Sequence, residues 1–300
     1  MERDLLPLVL VLRETGAANA MQKTRSSVAR WVHRSALIGL VAGGSALATG
    51  CAVSQQQELE MGRQYATQIN QQLPIVSDAT LNRYLNVLGS QIASRGARGL
   101  QYQFFIVNSN VVNAFAVPGG YVYINRGVIE RADNVSELAG VLAHEIAHVE
   151  HRHGVEQMEK AQGANLGLTL AYVLLGRAPT GVEEAAINIG GGLYFSRHSR
   201  EAENEADRTA VPLMVAAGIS PVGLPTFFQE LVAERQRTPS ALESWFATHP
   251  LTEDRIANTQ ALVNQYSSAQ LRNLTTNTSQ FNDFKARMRR YAAPPPSQGS

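Results

Sequence analysis

Two histidines stand four residues apart in the run His144-Glu145-Ile146-Ala147-His148. On a helix, that spacing puts both rings on one face, one turn apart, where each can offer a ring nitrogen to a single metal ion. Glu145, next to the first histidine, can take a proton from a water that the metal has acidified. The six residues before the motif, 138–143, are all small or apolar, so the helix reads as buried. Buried titratable groups need partners, and a metal supplies one.

A catalytic centre of this kind needs a third protein ligand and an open fourth position. His151 follows His144 by seven residues and lies two turns along the axis, too far to complete the same site. His153 points elsewhere, and both read as outer or structural groups. Ten residues after His144 the chain has Gly154, which excludes the metzincin spacing. The stretch 199–207, Ser-Arg-Glu-Ala-Glu-Asn-Glu-Ala-Asp, offers carboxylates from a second helix. Glu203 and Asp207 are four apart and share a face, so Glu203 can ligate while Asp207 fixes the tautomer of a ligating histidine. Glu205 falls on the other side of that helix. An isolated acidic helix would read as a solvated face; behind His144 and His148 the ligand reading prevails.

These side chains must be positioned by elements whose periods change along the chain. Helical spacing marks 58–72 and 78–95, with Asp78 as an N-cap. Strand patterns follow at 102–107, 112–117 and 121–125, the last two joined by Pro118-Gly119-Gly120 as a hairpin. A long helix is expected over 136–162, an apolar helix too short to span a membrane over 164–175, and a turn at 190–192. A helix kinked or split near Pro212 is expected over 199–217, with further helices at 222–236 and 252–266. These elements predict an α+β fold, mostly helical, with a small twisted sheet beside the active helix.

The chain has 300 residues, 44% hydrophobic, with a formal net charge of +1 and charges of both signs interspersed. No basic stripe tracks a phosphate backbone, so nucleic acid is excluded as a partner. A single cysteine rules out an internal disulfide and a multi-cysteine zinc site. Residues 21–50 have the three parts of a secretory signal, and 1–20 read as an upstream start-site artefact before Met21. Cys51 closes the signal. Residues 51–60 read as a tether, 61–266 as the catalytic domain, and 267–300 as a C-terminal helix and disordered tail.

The signal ending at Cys51 resembles the lipobox of bacterial lipoproteins, with Ala48 where the third residue before the cysteine is usually Leu. That resemblance implies lipidation of Cys51, and Ala52 after it favours the outer membrane. The motifs at 144–148 and 199–207, with His249-Pro250 and the segment 113–120, together resemble the HtpX-like gluzincin metallopeptidases, relatives of the type I CAAX prenyl proteases. The resemblance covers roughly 57–265. It implies one zinc ion per chain held by His144, His148 and Glu203, with Glu145 as general base and Asp207 behind the ligands. Arg200 would order the ligand helix or touch the site. His249 would stabilise the oxyanion or bind the metal in a closed state. Asn113, Ala114, Phe115 and Ala116 would form an edge to which an extended substrate adds. The implied activity is zinc-dependent endopeptidase action on unfolded or misassembled envelope proteins, at the periplasmic face of the outer membrane and near its assembly machinery. The alternative is a chaperone-like assembly factor with a largely closed zinc site.

Overall fold

The computed structural model describes residues 53–161 and 198–294. Cys51, the signal segment, the apolar stretch 164–175 and the glycines at 190–192 lie outside them. Eleven helices and three strands are described, in the order α1 (Gln55–Gln72), α2 (Ala79–Ala93), β1 (Gln103–Val107), β2 (Ala114–Val117), β3 (Tyr121–Asn125), α3 (Arg126–Arg131), α4 (Val135–Glu150), α5 (His153–Ala161), α6 (Arg200–Ala216), α7 (Gly223–Arg237), α8 (Pro239–Thr248), α9 (Glu253–Val263), α10 (Ser268–Arg272) and α11 (Ser279–Arg290). Among these residues no helix is long and apolar enough to cross a membrane.

Helix α4 is the central helix of the described residues. Asn134 caps it, its carboxamide oxygen accepting from the amides of Ser136 and Glu137. Every residue from Val135 to Val149 is buried. A helix apolar on all sides has to be wrapped, and α2, α6, α7 and the sheet wrap this one. Its contact with α7 is close because Gly140 faces Leu224, where a Cβ would meet backbone at 2.9 Å.

The sheet has the order β1-β3-β2. β2 and β3 form the expected antiparallel hairpin, Ala114 opposite Ile124 and Val117 opposite Tyr121. Gly119 and Gly120 at φ +83° and +95° make the turn. β1 instead runs parallel to β3, so β2 is left as an edge. Phe105 and Phe115 stack on either side of Tyr123, at 4.9 and 4.8 Å between ring centres.

Several boundaries differ from expectation. The helix read across 136–162 is two helices, broken where Arg152 takes φ +58°. α6 runs unbroken through Pro212. Residues 55–60, read as tether, are the first turns of α1, capped by Ser54. Glu58 is buried among Arg98 (two 2.8 Å contacts) and Arg152 (2.9 Å). The segment read as a terminal helix and tail contributes Phe281, Phe284 and Met288 to the main core, with Tyr84 stacked on Phe284 at 4.4 Å. The core therefore extends past residue 266.

Candidate metal centre

Four buried side chains converge between α4, α6 and the α8–α9 junction. His144, His148, Glu203 and His249 each present one donor atom, and these atoms all lie within 4.8 Å of one another. His144 and His148 come from adjacent turns of α4, and Glu203 from the first turn of α6, where Ser199 caps the helix. His249 ends α8, its amide bonded to the carbonyl of Trp245.

The Nε2 atoms of His144 and His148 face each other at 3.0 Å. Glu203 Oε2 is 3.5 Å from the first and Oε1 is 3.3 Å from the second. His249 Nδ1 lies 3.2 Å from Glu203 Oε1. Three imidazoles and one carboxylate with converging lone pairs are a donor set that suits a zinc ion. Facing imidazole nitrogens at this distance can share one proton between them, or both turn their lone pairs onto one cation.

The surroundings set the charge states. Burial alone would depress His144, but the carboxylates of Asp207 and Glu203 override it and hold the ring up at about 9. Burial, with His198 alongside, pushes His148 well down. Burial also raises Glu203, but the guanidinium of Arg255 and the ring of His249 more than reverse this, so its carboxyl is held well below the usual range. Glu145 is pushed up by burial, against the pull of His249 and His144. Its Oε1 has no hydrogen-bond partner and lies 3.5 Å from His249 Nε2.

Behind the donors sits a layer of supporting groups. Asp207 Oδ1 is 2.9 Å from His144 Nδ1, though the atoms are out of hydrogen-bond alignment. Arg255 donates to both oxygens of Asp207 at 2.8 Å and also to Glu203, and its guanidinium lies over the Phe228 ring at 4.8 Å. Arg200 does not take part as expected: it is exposed on the first turn of α6, and Arg255 holds the two carboxylates from the opposite side. His153 Nδ1 meets His148 Nδ1 at 2.8 Å. His198 stacks on His148 at 3.9 Å and is pushed down to about 3, chiefly by burial.

A cleft opens beside this cluster. Glu145, His148 and His249 line one end, Phe115, Ala116, Val117 and Pro118 its β2 side, and Glu58 and Arg152 also border it. Ala114 reaches the centre through its carbonyl, 3.3 Å from His249 Nε2. Asn113 is fully buried and does not line the cleft.

Residues 79–263 match the model of peptidase family M48. The chain belongs to that family. The M48 assignment agrees with the resemblance drawn from the motifs. Among curated proteins this M48 chain is similar to the beta-barrel assembly-enhancing protease of Escherichia coli (strain K12), 34% identical over 226 residues, covering 72% of this chain and 46% of that one. It is also similar to the mitochondrial metalloendopeptidase OMA1 of Schizosaccharomyces pombe, 31% identical over 170 residues, 57% of this chain and 49% of that one. The metalloprotease LoiP of Escherichia coli (strain K12) is 28% identical over 176 residues, 58% of this chain and 66% of that one. The chain spans about half the length of the beta-barrel assembly-enhancing proteases it matches.

Proposed function

We propose that this chain is a zinc-dependent endopeptidase of the bacterial envelope that hydrolyses unfolded or misassembled proteins, lipid-anchored through Cys51 at the periplasmic face of the outer membrane. The observation that carries the reading is the buried three-histidine, one-carboxylate cluster with Glu145 beside it, its Oε1 free of hydrogen bonds and 3.5 Å from His249 Nε2. A purely structural site needs no base.

His144, His148 and Glu203 would hold one zinc ion per chain. When bound, zinc supplies Lewis-acid polarisation of the scissile carbonyl and acidifies water. Glu145 accepts the proton of the attacking water and delivers it to the leaving amine. Asp207 and Arg255 keep His144 and Glu203 aimed inward. Ala114, Phe115 and Ala116 offer a strand edge along which an extended peptide can pair through its backbone, which selects for unfolded chains more than for particular side chains. Asn113 orders the start of that strand through its carbonyl, which accepts from the amide of Asn125 at 3.0 Å.

His249 supplies the fourth donor, and a catalytic centre needs that position open. It therefore acts as a gate. The same closed arrangement favours a second reading, an assembly factor for outer-membrane proteins with a largely shut zinc site. Purified protein, assayed for casein cleavage with zinc counted alongside, separates the two. Cleavage by wild type, lost in Glu145→Gln by about 10²–10⁴-fold at unchanged zinc content, supports the peptidase. Equal inactivity of both at one zinc per chain sinks it in favour of the assembly factor.

A further inference from the structure

We propose that Glu205 and His153 are positioning residues that fix the tautomer and aim of His148 toward the metal. The inference rests on the reading of His148 as a metal ligand, but it concerns residues which that reading leaves unused.

The two α4 histidines are backed differently. His144 has a carboxylate, Asp207, directly behind it at 2.9 Å. His148 has another histidine: its Nδ1 meets His153 Nδ1 at 2.8 Å, with both rings buried. His153 Nε2 in turn meets Glu205 Oε2 at 3.2 Å. Glu205 Oε1 is 3.1 Å from His151 Nδ1, and His151 Nε2 is 2.7 Å from Thr209 Oγ1.

One assignment of protons satisfies the whole chain. A neutral His148 that ligates through Nε2 must carry its proton on Nδ1. That proton can only be donated to His153 Nδ1, which must then be bare. His153 is left with its proton on Nε2, and that N–H needs an acceptor, which Glu205 Oε2 provides. The second oxygen of Glu205 accepts from His151 Nδ1–H, and His151 Nε2 accepts from the Thr209 hydroxyl. Every donor meets an acceptor, and the single polarity starts from the carboxylate. Without Glu205 either tautomer of His153 becomes possible, and one of them sets N–H against N–H at His148.

The break between α4 and α5 brings this contact about. Arg152 at φ +58° ends α4 and restarts the chain as α5, which folds His153 back onto the ring one turn before it. On a continuous helix His153, five residues after His148, would face away. Glu205 lies opposite Glu203 on α6, so one helix serves the centre from two directions. Its side chain is 49% exposed, so its replacement leaves the core intact.

The test measures zinc affinity of the full chain by chelator competition, together with the visible spectrum of the cobalt-substituted protein. Outer partners of metal-bound histidines typically contribute about 10–100-fold in affinity. His153→Phe, which keeps a ring in place, should weaken zinc binding by about that factor and shift the cobalt bands. Glu205→Ala should weaken it about tenfold, with Glu205→Gln partly restoring it through its remaining carbonyl acceptor. Because the residues act in series, His153→Phe/Glu205→Ala should be no worse than His153→Phe alone. Unchanged affinity in both single variants, or losses that simply multiply in the double variant, would overturn the relay. Should His153→Phe not fold, Glu205→Ala against Glu205→Gln decides it. A wild-type chain that binds no zinc removes the metal-centre reading and the relay together.

Discussion

His249 Nε2 lies 3.3 Å from the carbonyl oxygen of Ala114, while Nδ1 of the same ring lies 3.2 Å from Glu203 Oε1. One side chain thus touches both the donor cluster and the outer edge of β2. Anything that lifts this ring would open a coordination position and a strand-pairing position in one movement. The ring sits at the end of α8, 5.1 Å from Trp245. We expect His249→Ala to raise casein cleavage about tenfold, the gain available when a closed form no longer dominates. Trp245 is the only tryptophan after Trp31, so its emission should change in the same variant. A fall in cleavage at constant zinc content would instead assign His249 to transition-state stabilisation.

Arg255 balances two buried carboxylates, Glu203 and Asp207, and it is itself buried. Removing one partner of such a group leaves the others uncompensated. Arg255→Met should therefore cost roughly 3–5 kcal/mol in metal-free protein, read from urea unfolding. Added zinc should recover part of the loss, because the cation would then neutralise Glu203. Arg255→Lys should recover less than its charge suggests, since an ammonium cannot reproduce the paired contacts to Asp207. Equal stability of Arg255→Met and wild type without metal would contradict this account.

Much of the centre was legible because its geometry is helical. His144 with His148, and Glu203 with Asp207, are four apart, and that spacing survives any error in tertiary arrangement. What was not legible depends on chain direction between elements. His153 was unreadable because a non-glycine residue, Arg152, adopts the left-handed conformation and turns the chain back. The parallel pairing of β1 with β3 depends on where the chain passes after residue 107, which no local period encodes. His198 lies just outside the motif that defines α6. Arg255 did leave a signal: with Thr259 and Val263 it marks the buried stripe of α9 at a spacing of four. A charge on the buried face of a helix calls for a buried partner. Arg200 was the more visible arginine because it lies within the motif, yet it is exposed while Glu203 on the same turn of α6 is buried.

Gly62 fixes how α1 meets the cleft. A Cβ at this position would overlap the carbonyl oxygen of Pro118 in the β2–β3 turn, and backbone cannot swing aside as a side chain can. Gly62→Ala should destabilise the protein by about 1–3 kcal/mol. Since Glu58 of α1 holds Arg152 at the cleft rim, the same variant should weaken peptide binding more than zinc binding. Ala is otherwise the better helix former, so an increase in the melting temperature would show that α1 packs loosely there.

Glu230 makes a prediction about pH that is independent of the metal. It is half-buried on α7, and burial together with the nearby charges of Glu137 and Asp133 raises its carboxyl to about 7. In the unfolded chain a glutamate titrates near 4.3. The folded state therefore binds this proton more tightly than the unfolded state does. The resulting stability is fully present below about pH 4.3 and is lost as pH rises through about 7. Glu230→Gln removes the ionisation without changing the shape. Its melting temperature should match wild type near pH 4.5 and exceed it at pH 8, by about 2–4 °C after allowing for solvent screening of a partly exposed group. Scanning calorimetry of both proteins across that range checks the sign. A variant less stable than wild type at pH 8 would mean that Lys285, which opposes the shift, keeps Glu230 ionised and favourably paired.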